Sequence, residues 1–263
     1  MITTFNVFQL HRIFDISLRY TNKIKQQKTF ALIIGANNGV DDDTLMGYVN
    51  AFDWRALLIE PLPEHINELK RNFNRQIKQG KIVIAEECVS DCNEKISFGY
   101  IPYETILQEN LHPAIRGMSC IIPPLNGFKT DPNTSILFEK YKRVVSFDTK
   151  TIDQICEEYF IEHIDFVQCD VEGYDGKVLS KFNFAKYSPN IFKFETRNNN
   201  DIEHKELVKL FESNNYSVHS LLGDSLAINN DHLKTLKNSK RWNEVVLLEN
   251  ATTDNIPASF GEE

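Results

Sequence analysis

Short apolar runs alternate with amphipathic stretches along most of this chain. "FALII" (30–34), "ALLIE" (56–60), "KIVIA" (81–85), "RVVSFD" (143–148), "IDFVQCD" (164–170) and "NIFKFE" (190–195) have the length and side-chain types of strands, with "YSVHSLL" (216–222) and "SLAI" (225–228) closing the series. Between them, "DTLMGYVNAFD" (43–53), "PEHINELKRNFNRQIK" (63–78), "TIDQICEEYF" (151–160), a segment from about Tyr174 and "HKELVKLFESNN" (204–215) read as helices. The second opens on a proline and aligns Ile66, Leu69 and Phe73 on one face. Strands separated by whole helices call for crossover connections, hence a parallel sheet with helices on both faces. The expected fold class is α/β, doubly wound.

Two segments break the rhythm. Residues 101–142 carry Pro102, Pro113, Pro123, Pro124 and Pro132, too many prolines over too long a stretch for a routine connection, and are read as an acceptor-side cap or lid. Residues 1–28 are read as a helical extension with Val7, Phe8, Phe14 and Leu18 available for packing, 29–249 as one domain, and 250–263 as a polar tail.

Composition narrows the partners. Thirty-seven acidic against 29 basic side chains give a net charge of −8, the wrong sign for gripping nucleic-acid phosphates and compatible with a neutral or cationic small molecule. No apolar run reaches the length of a membrane span, and His11, Arg12, Asp15 and Arg19 interrupt the start, so the expectation is a cytoplasmic chain. Five cysteines (Cys88, Cys92, Cys120, Cys156, Cys169) without a CxxC pair read as reduced thiols, not a structural zinc site.

In a doubly wound sheet, ligands bind beyond the carboxyl ends of the strands. Four loops meet that rule: Gly35 to Asp43, Glu60, Cys88 to Asp91, and Asp170 to Gly173. The first, G-A-N-N-G, lacks the middle glycine that lets a pyrophosphate approach a dinucleotide fold. It runs into Asp41, Asp42 and Asp43, whose carboxylates repel a phosphate and compete for the helix N-terminus, one of them as a cap. Glu60, 21 residues after Gly39, stands where an acidic side chain accepts from both hydroxyls of a ribose. A nucleoside without a phosphate fits both loops. In "QCDVEGYDG", Asp170 and Glu172 flank Val171 at a strand terminus, and their partner is an organic cation, a divalent metal or a nearby Lys or Arg.

The pieces "IIGANNGVDDDTL", "LLIEPLPEHINELKRN", "CVSD", "TKTIDQI", "IDFVQCDVEGYDGKVL" and "PNIFKFET", in this order across residues 30–196, resemble the FkbM-type S-adenosylmethionine-dependent methyltransferases. "DVEGYD" and "IEPLPE" are the specific ones. The resemblance implies a Rossmann-like class I methyltransferase fold, a seven-stranded, mostly parallel sheet whose last strand is antiparallel. It implies that Gly35, Ala36 and Asn37 lie against the methionine part of the cofactor, that Glu60 of the Glu60-Pro61 pair binds its ribose, that Val89 and Ser90 border the adenine, and that Asp170 sits near the amino group. Gly39 closes the loop, and Asp43 is the aspartate that best matches the family pattern. Asn38 and Cys169 depart from it: relatives often have aspartate at the first position and isoleucine at the second.

Methyl transfer from a sulfonium needs in-line placement of the acceptor and, for a hydroxyl, removal of its proton. Asp170, Glu172, Glu195 and, in the cap, His112 are the candidates for that base. Glu195 and Arg197 flank Thr196 and could orient an acceptor or pair with each other; His219, sharing a strand face with Ser217 and Leu221, is read as a structural histidine. An oxygen-rich pair that includes Asp170 would suit magnesium, but nothing in the spacing demands a metal. The expected activity is O-methylation of a hydroxyl on a saccharide or secondary metabolite, with S-adenosyl-L-homocysteine as the product. The rivals are a nicotinamide-dependent oxidoreductase, against which the missing glycine argues, and a cofactor-binding assembly module without turnover.

Overall fold

The computed structural model describes residues 5–25, 28–40, 45–112, 115, 119–122, 132–196, 201–221 and 223–249. Asp41, Asp42, Asp43, Arg197 and the 250–263 tail, all named above, lie outside the described residues.

The chain enters through the helix α1 (Val7–Lys25), then runs β1 (Phe30–Ile34), α2 (Leu45–Phe52), β2 (Arg55–Ile59), α3 (Pro63–Asn72), α4 (Asn74–Lys78) and β3 (Ile82–Ala85). An accessory region follows: β4 (Cys88–Val89), β5 (Lys95–Tyr100), α5 (Tyr103–Gln108), β6 (Cys120–Ile122), α6 (Pro132–Tyr141) and β7 (Arg143–Lys150). The main alternation then resumes with α7 (Ile152–Glu158), β8 (Phe166–Cys169), α8 (Asp175–Leu179), β9 (Ile191–Glu195), α9 (Asp201–Ser213), β10 (Tyr216–Leu221) and β11 (Asp224–Asn229), and α10 (Asn230–Lys237) and α11 (Trp242–Val246) follow.

Seven strands form the central sheet in the order β10-β11-β9-β8-β1-β2-β3. β1 pairs in parallel with both β2 and β8, and β8 with β9. β11 alone runs against its neighbours, β10 and β9. This is the expected mostly parallel sheet with an antiparallel last strand. Its central strands are covered on both faces, which is why they read as unbroken apolar runs. Alternate residues supply two cores: Ala31, Ile33, Ala56 and Leu58 pack toward α1, α2, α3, α10 and α11, while Leu32, Ile34, Leu57 and Ile59 pack toward α7, α8 and α9. In the second core Phe211 stacks on Phe194 with centroids 5.3 Å apart and meets Phe192 edge-on at 4.8 Å. Such pairs add about 0.5–1.5 kcal/mol each beyond burial.

Two expectations change. The helix expected over 63–78 is interrupted at Phe73, whose φ of −102° and ψ of 16° end α3. Its fully buried ring is held against the first loop, and α4 restarts beyond it. The strand at 143–150 does not join the central alternation: it lies in a second, four-stranded sheet ordered β4-β7-β5-β6. β5 went unrecognised because it mixes polar, glycine and aromatic positions and is fully buried at only Ile96 and Gly99. Residues 101–142 therefore hold regular elements rather than only a loop, with a core of their own built from Ile101, Ile106, Ile115 and Phe138.

β7 leads into α7 through a capping box. Gln154 N–H donates to the Thr151 hydroxyl at 3.3 Å, and Thr151 N–H donates to Gln154 Oε1 at 2.9 Å. The accessory sheet is thus joined to the main fold at the carboxyl edge of the central sheet, where β4 follows β3.

Candidate functional site

The first loop folds back over the end of β2. Gly35 and Ala36 N–H groups both donate to the Ile59 carbonyl, at 3.1 and 3.0 Å, and Gly39 N–H donates to Ala36 O at 2.9 Å. Gly35, Asn37 and Gly39 all have left-handed φ values, +76°, +47° and +70°. At Gly35 a Cβ would stand 1.9 Å from the Asp170 carbonyl oxygen, so the loop after β1 and the exit of β8 touch backbone to backbone. At Gly39 it would meet Phe73 Cε2 at 2.4 Å and Leu69 Cδ2 at 2.9 Å, which fixes the loop against α3. Asn38, where a departure from the family pattern was noted, is buried: its side-chain oxygen accepts from Val40 N–H at 3.0 Å and its carbonyl from Asn72 at 2.8 Å.

Glu60 is only 4% exposed. Its Oε2 accepts from Asn37 N–H and its Oε1 from Leu62 N–H, both at 2.9 Å, across the half-buried Pro61. The buried His65 ring brings Nδ1 to 3.4 Å from Glu60 Oε1. Glu60 therefore ties the first loop to the start of α3, a role its position at a strand end does not reveal. Burial, reinforced by the Glu60 charge, pushes the neighbouring Cys88 thiol up to about 12.

Beyond β8 the backbone turns sharply. Asp170 N–H donates to Ile34 O at 3.0 Å and its side chain is exposed, while Glu172 and Gly173 take left-handed φ values of +54° and +89°. Asp175, at the start of α8, is fully buried. Its Oδ2 accepts from Val171 N–H at 3.4 Å and its Oδ1 from Glu195 N–H, at the end of β9, at 3.3 Å. Burial, then the negative charges of Asp170 and Glu195, hold the Asp175 carboxyl well above the usual carboxylate range. Asp170 and Glu195 thus stand at adjoining strand ends, both close enough to Asp175 to raise its carboxyl.

Val89 ends β4, Ser90 follows it, and both are buried. The Ser90 hydroxyl donates to Glu94 Oε1 at 2.9 Å and lies 3.4 Å from the Tyr174 hydroxyl, which links the accessory sheet to the turn after β8. Lys177 Nζ contacts the Tyr174 hydroxyl and pairs with Asp91 at 3.2 Å and Glu94 at 3.1 Å. Desolvation raises the Asp91 carboxyl, but Lys177 wins and holds it below the ordinary range; Glu94 is lowered chiefly by its bond from Lys177. Asp91, Cys92 and Glu94 place three ligand atoms within 4.8 Å of one another, and the single Lys177 charge lies against both acids.

His112 is exposed on the cap, and its carbonyl accepts from Ile115 N–H at 3.0 Å. His219 meets Phe5 with ring centroids 5.3 Å apart and the planes tilted by 56°, and its buried Nε2 has no hydrogen-bond partner among the described residues. Sequence reasoning singled out neither Asp175 nor His65. Asp175 reads as an ordinary acidic helix start, and only its apolar neighbours Val178 and Leu179 hint that it faces inward.

The Methyltransferase FkbM domain profile matches residues 34–218, more than half of the chain and all of the loops just described. The chain belongs to the FkbM methyltransferase family. Among solved structures it is similar to the methyltransferase FkbM from Methylobacillus flagellatus KT at 12% identity and TM-score 0.46, covering 81% of this chain and 47% of that one. The chain thus spans about half the length of that relative. It is also similar to the METTL16 MTase domain (9% identity, TM-score 0.42, 88% of this chain and 70% of that one) and to the precorrin-6y C5,15-methyltransferase from Geobacter metallireducens GS-15 (8%, 0.40, 81% and 84%). At such scores the family assignment stands on the domain match. No curated protein matches the chain.

Membership of this FkbM family implies S-adenosylmethionine as the methyl donor. The residues present fit it in three respects. The glycine loop closes on Asp170 without the middle glycine a pyrophosphate needs. Asp170 and Glu195 bring two carboxyl groups to adjoining strand ends, the donor type that suits an ammonium. The Asn37 amide and Glu60 carboxylate sit together under the loop. Among the described residues no helix is long and apolar enough to cross a membrane.

Proposed function

We propose that this FkbM-family chain transfers the methyl group of S-adenosylmethionine to a hydroxyl of a saccharide or secondary metabolite. The donor supplies a methyl carried on a sulfonium. What the protein must add is in-line placement and a destination for the hydroxyl proton. What supports the reading is the placement of Asp170, just past β8, and Glu195, at the end of β9, side by side near the buried Asp175.

In this reading Gly35, Ala36, Asn37 and Gly39 shape the cradle for the methionine part, and Asp43 completes the family pattern of that loop. Asp170 receives the ammonium, Glu60 holds the ribose side through the loop it ties down, and Pro61, Val89 and Ser90 border the nucleoside. Glu195 or Glu172 takes the hydroxyl proton, with His112 the alternative from the cap. The acidic site and the net charge of −8 favour an uncharged acceptor over a nucleic acid. The test is incubation of candidate saccharides and a host extract with a labelled methyl donor, followed by mass spectrometry. A single added methyl on oxygen is expected; label found on nitrogen or carbon would overturn the O-methylation.

A further inference from the structure

Three of the four groups considered as bases, Asp170, Glu172 and Glu195, sit on two separate backbone segments, the turn after β8 and the last residue of β9. β8 and β9 are parallel neighbours with Cys169 opposite Phe194, so Asp170 and Glu195 leave the sheet side by side. Beyond that point the β8–β9 pairing stops, and each is held from its other side, Asp170 N–H by Ile34 O of β1 and Glu195 by Asp224 of β11. The segments diverge into different loops, and a site built on both needs something that spans the gap.

Asp175 spans it. One carboxyl oxygen accepts from Val171 N–H and the other from Glu195 N–H. The group is fully buried, so water is not available to take over either bond. Between Asp170 and Asp175 the chain passes through two consecutive left-handed residues, one of them Glu172, which is not a glycine. A non-glycine residue in that region stores strain and persists only where its surroundings over-determine it. The Asp175–Val171 bond closes this turn from one side. From the other side, the Asp170 carbonyl abuts Gly35 so closely that no side chain fits between them. The turn is thus clamped between the cradle loop and the end of β9.

We infer that Asp175 is the positioning residue of this site, gripping the exits of β8 and β9 through its two carboxyl oxygens so that Asp170, Glu172 and Glu195 present to one ligand. It touches neither donor nor acceptor, and this role rests on the donor-site reading above. The two N–H bonds favour the ionised carboxyl, and burial, then the charges of Asp170 and Glu195, work against them and raise its proton affinity.

The test is Asp175→Asn in the full chain. A carboxamide keeps one acceptor and turns an N–H2 toward one of the two amides, so one grip is lost with little change in volume. The readouts are S-adenosylhomocysteine affinity by calorimetry and backbone amide resonances by NMR. Affinity is expected to fall by about tenfold or more, the scale of one buried hydrogen bond lost. The amides of Val171, Glu195 and Gly35 are expected to shift, with those of β10 unmoved, a local pattern that general destabilisation would not produce. Unchanged affinity, or unmoved Val171 and Glu195 amides, in a folded variant would overturn the inference. Should the variant fail to fold, hydrogen exchange on the wild type decides: both amides protected is the expected result, and either one exchanging at the rate of an open loop contradicts the grip. Wild-type chain that binds no S-adenosylhomocysteine would refute the donor reading instead, while the amide readouts still judge the role of Asp175.

Discussion

Gly35 and Asp170 meet so closely that a methyl group on the glycine would stand 1.9 Å from the aspartate carbonyl oxygen. The contact joins the first glycine loop to the acidic turn after β8, and the left-handed φ of +76° forbids escape by a small rotation. Gly35→Ala is expected to lower stability by about 2–4 kcal/mol, from backbone strain and overlap together. Gly80 is the control, because it shares a positive φ, +65°, but faces open space. Gly80→Ala is expected to cost only about 1 kcal/mol. Denaturant midpoints of the two variants check the contrast, and equal losses would mean that the loops do not touch.

Glu60→Gln replaces an acceptor by a donor beneath the cradle. Either Asn37 N–H or Leu62 N–H then faces an amide hydrogen in a buried place, at a cost of about 1–3 kcal/mol. Urea unfolding should register that loss, and S-adenosylhomocysteine affinity should fall with it. A variant as stable as the parent would remove Glu60 from the loop's support.

The raised Asp175 carboxyl gives stability a pH dependence of definite sign. The folded state holds this proton more tightly than the unfolded chain does. The contribution is therefore fully present below the ordinary carboxylate value of 3.8 and is lost as pH rises through the folded-state value. Against Asp175→Asn, which cannot ionise there, the wild type should lose ground steadily as pH increases from that point. Denaturation midpoints of both proteins across the acidic-to-neutral range measure it, and a constant difference would contradict the assignment.

Lys177 pairs with Asp91 and Glu94 at a site where all three side chains are partly exposed. Lys177→Ala should cost no more than about 1 kcal/mol, and the loss should shrink in high salt. Loss of the pairing lets both carboxyls rise toward their ordinary range, which NMR titration of the side chains would follow. A loss that salt leaves untouched would point to packing on Tyr174 instead, whose ring lies 4.7 Å from the Lys177 nitrogen.

The central sheet was readable because parallel strands buried on both faces must be apolar throughout, and "FALII" coincides with β1 residue for residue. The accessory sheet was not. Its strand Lys95–Tyr100 has both exposed and buried positions with a glycine inside, and its partners lie far along the chain. The break at Phe73 was hidden because it depends on what the ring packs against, the Gly39 loop, and not on α3's own period. The strand-end loops were legible by the rule that ligands gather there. The buried grip of Asp175 and the tie made by Glu60 were not, since a carboxylate in sequence looks the same whether water or two backbone amides surround it.

The measurement that bears most directly on the whole account is calorimetry of the wild-type chain with S-adenosylhomocysteine. The account predicts a heat of binding to one site per chain, weakened in Gly35→Ala and Glu60→Gln. No heat at high protein concentration, from a chain shown to be folded, would contradict it.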